Sequence, residues 1–108
     1  MKILERCHQR VKGKFQEFIA LEKKFDAAEE KLGNVPPKRR YWSHYSGLPN
    51  DTYVWEREWE NQAALDAYGA KIWNNPEWDK LTEEAGKVFF DGYFELYYSF
   101  TWEDFPHT

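Results

Sequence analysis

Hydrophobic periodicity along this chain switches between steps of two and steps of three or four in a definite order, and that order leaves few folds open. Residues 2–11 alternate as a strand does, with Ile3, Glu5, Cys7, Gln9 and Val11 on one side and Leu4, Arg6, His8 and Arg10 on the other. Lys12-Gly13 turns the chain. Across 14–32, Phe15, Phe18, Leu21, Phe25, Ala28 and Leu32 form the stripe of an amphipathic helix. Gly33-Asn34 stops that helix and Pro36-Pro37 forbids its continuation. Residues 38–46 and 52–59 are ring-rich strands flanking Gly47-Leu48-Pro49-Asn50-Asp51, a five-residue hairpin connection. Asn61 caps a helix over 62–73. Asn75-Pro76-Glu77 starts another, with Trp78, Leu81, Ala85 and Val88 on its apolar side. Asp91-Gly92 then turns into a last strand, Tyr93 to Trp102, leaving 103–108 as a C-terminal tail.

The order β-α-β-β-α(α)-β predicts an α+β fold. With right-handed crossovers and a central hairpin, its simplest packing is a ferredoxin-like βαββαβ unit. That unit has a four-stranded antiparallel sheet in spatial order 4-1-3-2 and helices on one face. A chain of 108 residues has material for one such domain, over 1–102.

Composition removes whole classes of function. Rings make up 19% of the chain, far too many for a disordered segment. A net charge of −4 gives no electrostatic basis for general binding to nucleic acid or anionic lipid. The longest purely apolar run, Phe18-Ile19-Ala20-Leu21, is far short of the ~20 residues that span a bilayer. Met1-Lys2-Ile3-Leu4-Glu5-Arg6 meets charge at once, unlike a signal peptide. Cys7 is the lone cysteine, so a cytoplasmic setting is expected.

Face assignment decides where a site can lie. If the hairpin pairs around Pro49, Trp42 faces Glu56 and Arg40 faces Glu58. Tyr41, Ser43, Tyr45, Tyr53, Trp55, Arg57 and Trp59 then share one face, and Arg40, Trp42, His44, Val54, Glu56 and Glu58 the other. Helices over Arg6, His8 and Arg10 would bury unpaired charge, so Ile3, Cys7, Val11, Trp55, Leu96 and Phe100 are expected beneath them. The far face combines Trp42, Tyr93 and Tyr97 with Arg6, His8, Arg10, Glu56 and Glu58. A mixed aromatic face of that size calls for cover, and a second copy supplies it. Two sheets facing each other make a homodimeric barrel with the charged strands lining its cavity.

Several short motifs carry a resemblance: Val11-Lys12-Gly13-Lys14-Phe15, Arg39-x-Tyr41, Gly47, Asn50, Val54-x-Glu56-x-Glu58-Trp59-Glu60-Asn61 and Asn75-Pro76-Glu77-Trp78. Together, over residues 2–102, they resemble the NIPSNAP-type branch of the dimeric α+β barrel superfamily. That superfamily also holds antibiotic-biosynthesis monooxygenases, haem-degrading enzymes and small isomerases. The resemblance implies dimers joined through their sheets and ligands held between sheet and helices. It does not choose a reaction.

The candidate site is the constellation Arg6, His8, Arg10, Arg40, His44, Glu56, Glu58, Glu95 and Tyr97. His44, His8 and Glu56 are the expected proton-handling groups. Arg6, Arg10, Arg40, Trp42, Glu58 and Tyr97 are the expected ligand contacts, an arginine clamping a developing oxyanion. This chemistry suits an isomerase or cofactor-independent monooxygenase acting on a small aromatic or carbonyl compound. The alternative is a non-catalytic homodimeric module without a ligand, its charges spent on ion pairs such as Arg40 with Glu58 and Arg6 or Arg10 with Glu56. No cofactor is expected: residues 61–90 contain no histidine to hold haem iron. Nor is a metal, since neighbouring Cys7 and His8 point to opposite faces of a strand. An RNA-recognition module would need basic residues where Glu56 and Glu58 stand.

Overall fold

The computed structural model describes residues 1–103. Strand β1 (Ile3–Val11) leads into helix α1 (Phe15–Leu32), followed by β2 (Arg39–Trp42) and β3 (Thr52–Trp59). Helices α2 (Gln62–Ile72) and α3 (Pro76–Val88) come next, and β4 (Phe89–Tyr98) closes the sheet. All strand pairs are antiparallel, in the order β2-β3-β1-β4, with β1 and β3 central. This is the expected ferredoxin-like arrangement. Residues 104–108, most of the expected tail, lie outside the described residues. Among the described residues, no helix is long and apolar enough to cross a membrane.

Local signals explain most of the boundaries. Gly33 ends α1 at φ 76°, a left-handed conformation that costs a residue with a Cβ, and its N–H closes on Glu29 O at 3.1 Å. Asn61 and Asn75 cap α2 and α3 by accepting from Ala64 N and Trp78 N at 2.9 and 3.1 Å. The core lies between sheet and helices. One cluster gathers Cys7, Phe18, Leu21, Tyr53, Trp55 and Leu81, and a second joins Ile3, Trp59 and Tyr68.

Two expectations are corrected. The last strand starts at Phe89, directly after α3, so Asp91-Gly92 lies within it and makes no turn. A register shift between Gln9 and Val11 absorbs the change. The second correction concerns β2. It has four residues, and Arg40 pairs with Trp55 and Trp42 with Tyr53, a shift of three positions from the expected register. An odd shift reverses the faces. Arg40 and Trp42 therefore lie on the helix side, where Trp42 meets the rings of Phe15 and Phe18 at 5.7 and 6.0 Å. Arg39 and Tyr41 take the open face instead. The cause is the connection: residues 43–51 form a loop, held by Ser43 N to Thr52 O at 2.9 Å and Thr52 N to Pro49 O at 3.1 Å.

Candidate functional site

The sheet places ionisable groups on both faces. On the open face, β1 and its neighbours build a row around Arg6, which faces Glu56 in β3 and Glu95 in β4. Arg6 Nε donates to Glu56 Oε2 at 3.0 Å, and Arg39 Nε donates to Oε1 of the same carboxylate at 3.3 Å. Burial raises the Glu56 carboxyl, but these two guanidiniums outweigh it and hold it below its usual range. His8 stacks on Tyr93, directly opposite in β4, with ring centroids 4.5 Å apart and planes 8° apart. Its Nε2 meets Glu95 Oε1, and Tyr97 donates its hydroxyl to the other oxygen of Glu95. The Tyr97 bond, followed by His8, keeps the Glu95 carboxyl low, and the same bond raises the Tyr97 hydroxyl.

Arg6, His8, Glu56 and Tyr97 are thus brought together on the open face. Arg10 and Glu58 lie on the same face but pair outside this group, Arg10 with Asp51 at 3.1 Å and Glu58 with Lys2 at 3.4 Å. Arg40 and Trp42 are on the other side of the sheet. Arg40 does not pair with Glu58; it donates to Tyr53 Oη at 3.0 Å and to Asp26 at 2.5 Å. His44 stands in the 43–51 loop, against Tyr45, and is not brought to Glu56.

The helix-covered face holds the space that the resemblance implies for a ligand, although every expected site residue was assigned to the opposite face. A cavity of 360 Å³ opens between sheet and helices, walled by Phe25, Trp55, Tyr68, Trp78 and Phe94. Its mouth lies where the helices leave β4 uncovered: Phe94 points to this side yet is 63% exposed. A shallower depression of 440 Å³ at the end of α1 is a surface groove that lacks this ring lining.

Ionised groups form one wall of the cavity. Arg57, 2% exposed, donates from Nε to Glu5 Oε1 at 2.7 Å and from Nη1 to Glu29. Glu5 also accepts from Trp59 Nε1 at 3.0 Å, and Glu29 from the Tyr68 hydroxyl at 2.8 Å. Lys38, its side chain 6% exposed, pairs with Glu29 at 3.3 Å and stands 4.3 Å from the Trp55 ring centroid. Burial raises the Glu29 carboxyl, but Lys38 and Arg57 outweigh it and hold it below its usual range. Burial lowers the Arg57 guanidinium, yet Glu5 and Glu29 outweigh that and raise it. Tyr53 donates to Glu22 at 2.8 Å, and burial foremost pushes the Tyr53 and Tyr68 hydroxyls up. Each cation in this wall is matched by a carboxylate. One acceptor is not: Gln9 Oε1 is buried at the cavity without a hydrogen-bond partner among the described residues.

Signals for this wall were present. Glu22 and Glu29 are seven residues apart on the side of α1 that carries Phe18, Phe25 and Ala28, so they share its buried face. Arg57 sits between Trp55 and Trp59 on the inward side of β3 and needs buried carboxylates there. Cys7 adds nothing reactive, because burial pushes its thiol up to about 12.

In three dimensions the chain is similar to a NIPSNAP family protein from Agrobacterium tumefaciens, with a TM-score of 0.73 at 12% identity over 94% of this chain and 96% of that one. The fold is that of the NIPSNAP-like, ferredoxin-like proteins. SnoaB from Streptomyces nogalater, a cofactor-independent oxygenase, has it too, with a TM-score of 0.61 at 14% identity over 93% of this chain and 94% of that one. So does a dimeric ferredoxin-like protein of unknown function from Jannaschia, with a TM-score of 0.67 at 11% identity over 92% and all of that chain. No family model matches the sequence, and no curated protein does.

Proposed function

We propose that this NIPSNAP-like protein binds a small, neutral aromatic molecule carrying a hydroxyl or carbonyl group, in the cavity between sheet and helices. The observation that carries this reading is the 360 Å³ space with ring walls and one acceptor, Gln9 Oε1, that is unmet among the described residues. Pockets of this size with apolar walls and a few placed polar groups are typical of small-molecule sites. Phe25, Trp55, Trp78 and Phe94 supply stacking surface, and Gln9 accepts from a ligand N–H or O–H. Glu5, Glu29, Lys38 and Arg57 satisfy one another, so they shape the wall without calling for a charged ligand. The oxygenase SnoaB, of the same fold, extends the reading to cofactor-independent oxygenase or isomerase-type chemistry on such a compound.

The protein works as a homodimer in this reading, its open face covered by a second copy. The exposed rings of Tyr41, Tyr93 and Tyr97 on that face support this, as does the dimeric protein of like fold. A reducing, cytoplasmic setting suits its free, buried Cys7.

The test is saturable binding of catechol and of small aromatic ketones, followed by tryptophan fluorescence and thermal shift. Ala85→Trp, which fills the cavity mouth, abolishes the response while the variant still melts cooperatively. Catechol and the ketones giving no saturable signal, or Ala85→Trp responding unchanged, leaves the non-catalytic dimer as the better account. Light scattering reads the dimer separately, at twice the 13.1 kDa chain mass.

A further inference from the structure

The open face carries a second recess, on the side of the sheet opposite the ring-walled cavity. It measures 120 Å³ and lies beneath Leu48 and Pro49, against His8, Arg10, Thr52 and Tyr93. Its roof is fastened at several points. Ser43 Oγ donates to Leu48 O at 3.3 Å, and Val11 N to Asp51 O at 2.9 Å. Arg10 grips Asp51 with two bonds, at 3.2 and 3.1 Å.

Two polar atoms of this recess, His8 Nδ1 and Thr52 Oγ1, are buried and have no hydrogen-bond partner among the described residues. Thr52 is 3% exposed. Native proteins seldom leave such atoms unmet, so a pair of them at one recess points to an occupant. The His8 ring cannot turn away to satisfy itself. Tyr93 stacks against its face and Glu95 holds Nε2. A carboxylate only accepts, so Nε2 carries the proton of the neutral ring and Nδ1 presents its lone pair. Charge excludes an anionic occupant: Arg10 is already matched by Asp51, and Asp91 also borders the recess.

We propose that this recess is a second binding site, taking the hydroxyl group of a small neutral molecule between His8 Nδ1 and Thr52 Oγ1. His8 Nδ1 accepts the hydrogen bond and is the group to which the proton passes when the ligand ionises. In that step the ligand O–H bond breaks and an N–H bond forms at Nδ1. Glu95 then compensates the imidazolium, and the Thr52 hydroxyl turns to donate to the oxyanion. Tyr97 acts through Glu95 and is a positioning residue, since its hydroxyl holds the second carboxylate oxygen. This site stands on the open face alone and does not depend on a ligand in the helix-side cavity.

The experiment is a phenol titration of the ¹⁵N-labelled protein in its native oligomeric state, following the His8 ring nitrogens by long-range ¹H–¹⁵N correlation. The free protein shows the Nε2–H tautomer, and phenol moves the Nδ1 resonance saturably. Thr52→Val, close in shape but without the hydroxyl, weakens that response about two- to tenfold, one hydrogen bond's worth. The proposal is overturned by an Nδ1–H tautomer, by an Nδ1 resonance that phenol leaves unmoved or shifts only linearly, or by equal affinity in Thr52→Val. The unmodified protein decides the first two, so a variant that fails to fold does not rescue the idea. Tryptophan fluorescence, reporting Trp55 and Trp78 in the other cavity, is read in the same titration and scores that site independently.

Discussion

Replacing Arg57 by methionine puts a number on the buried charge wall. The guanidinium makes charge-assisted bonds to Glu5 at 2.7 Å and to Glu29, and its ring neighbours Trp55, Tyr68 and Trp59 lie 4.9, 4.8 and 5.2 Å from its carbon. Two such bonds are worth about 3–6 kcal/mol, and sparing the guanidinium its desolvation returns part of that. The net loss is about 3–5 kcal/mol, a large share of the roughly 5–15 kcal/mol that holds a domain of this size folded. Glu29 keeps Lys38 and Tyr68 after the change, whereas Glu5 keeps only the Trp59 N–H. The penalty therefore falls mainly on Glu5. Urea unfolding followed by far-UV circular dichroism should show the midpoint lowered by about 2 M. Adding Glu5→Gln to Arg57→Met should recover more stability than adding Glu29→Gln. A loss below about 1 kcal/mol, or equal recovery by the two second changes, refutes the assignment of the uncompensated charge to Glu5.

Two further outcomes are accessible. The Glu29 carboxyl is lower in the folded chain than its ordinary value of 4.5, so it adds stability that is full above that pH and is lost as pH falls through the folded-state value. Urea midpoints measured between about pH 3 and pH 6 should fall on the acid side, and Arg57→Met, which removes one of the two cations holding Glu29 down, should flatten that limb. Gly92→Ala would set a Cβ 3.1 Å from Gln9 Cγ and 3.3 Å from His8 O. The flexible Gln9 side chain must give way, so catechol affinity should drop several-fold while the melting temperature changes by only a few degrees.

Some of this architecture is plain in the sequence and some is not, for reasons that lie in particular residues. In β1, Ile3 and Cys7 contrast with Arg6 and His8, so only one parity buries apolar atoms. The starts of α2 and α3 are legible because Asn61 and Asn75-Pro76 carry their own capping chemistry. Residues 38–45 offer no such contrast: rings and cations occur at both parities, and nothing there favours one face. The register is set instead by the bonds that close the 43–51 loop, which join residues Ser43, Leu48, Pro49 and Thr52. That shift moved Arg40 and Trp42 to the helix side and left His44 beyond the strand. The ring-walled cavity lies where the resemblance implies a ligand, but its charged wall was not singled out, because the expected site residues all come from the opposite parity of the sheet. Helices avoid a lone buried arginine, but Arg57 arrives with Glu5 and Glu29 already in place.

Both faces of the sheet are thus built on the same device, a central-strand cation held between carboxylates: Arg57 between Glu5 and Glu29 on one side, Arg6 against Glu56 on the other. Their surroundings make the consequences different. The Arg6–Glu56 pair keeps a third of its arginine side chain in solvent and competes with water, so it contributes at most about 1 kcal/mol. The Arg57 cluster has no such competitor and is rigid, because moving any member strands another. A rigid wall whose cations are all spent on carboxylates cannot attract an anion by charge, and recognition there draws on ring surface and the Gln9 acceptor. Selectivity in the helix-side cavity should accordingly follow shape and one hydrogen bond. Affinities for catechol should stay nearly constant from low to high salt, whereas an anionic analogue of equal size, such as benzoate, should bind more weakly at every ionic strength.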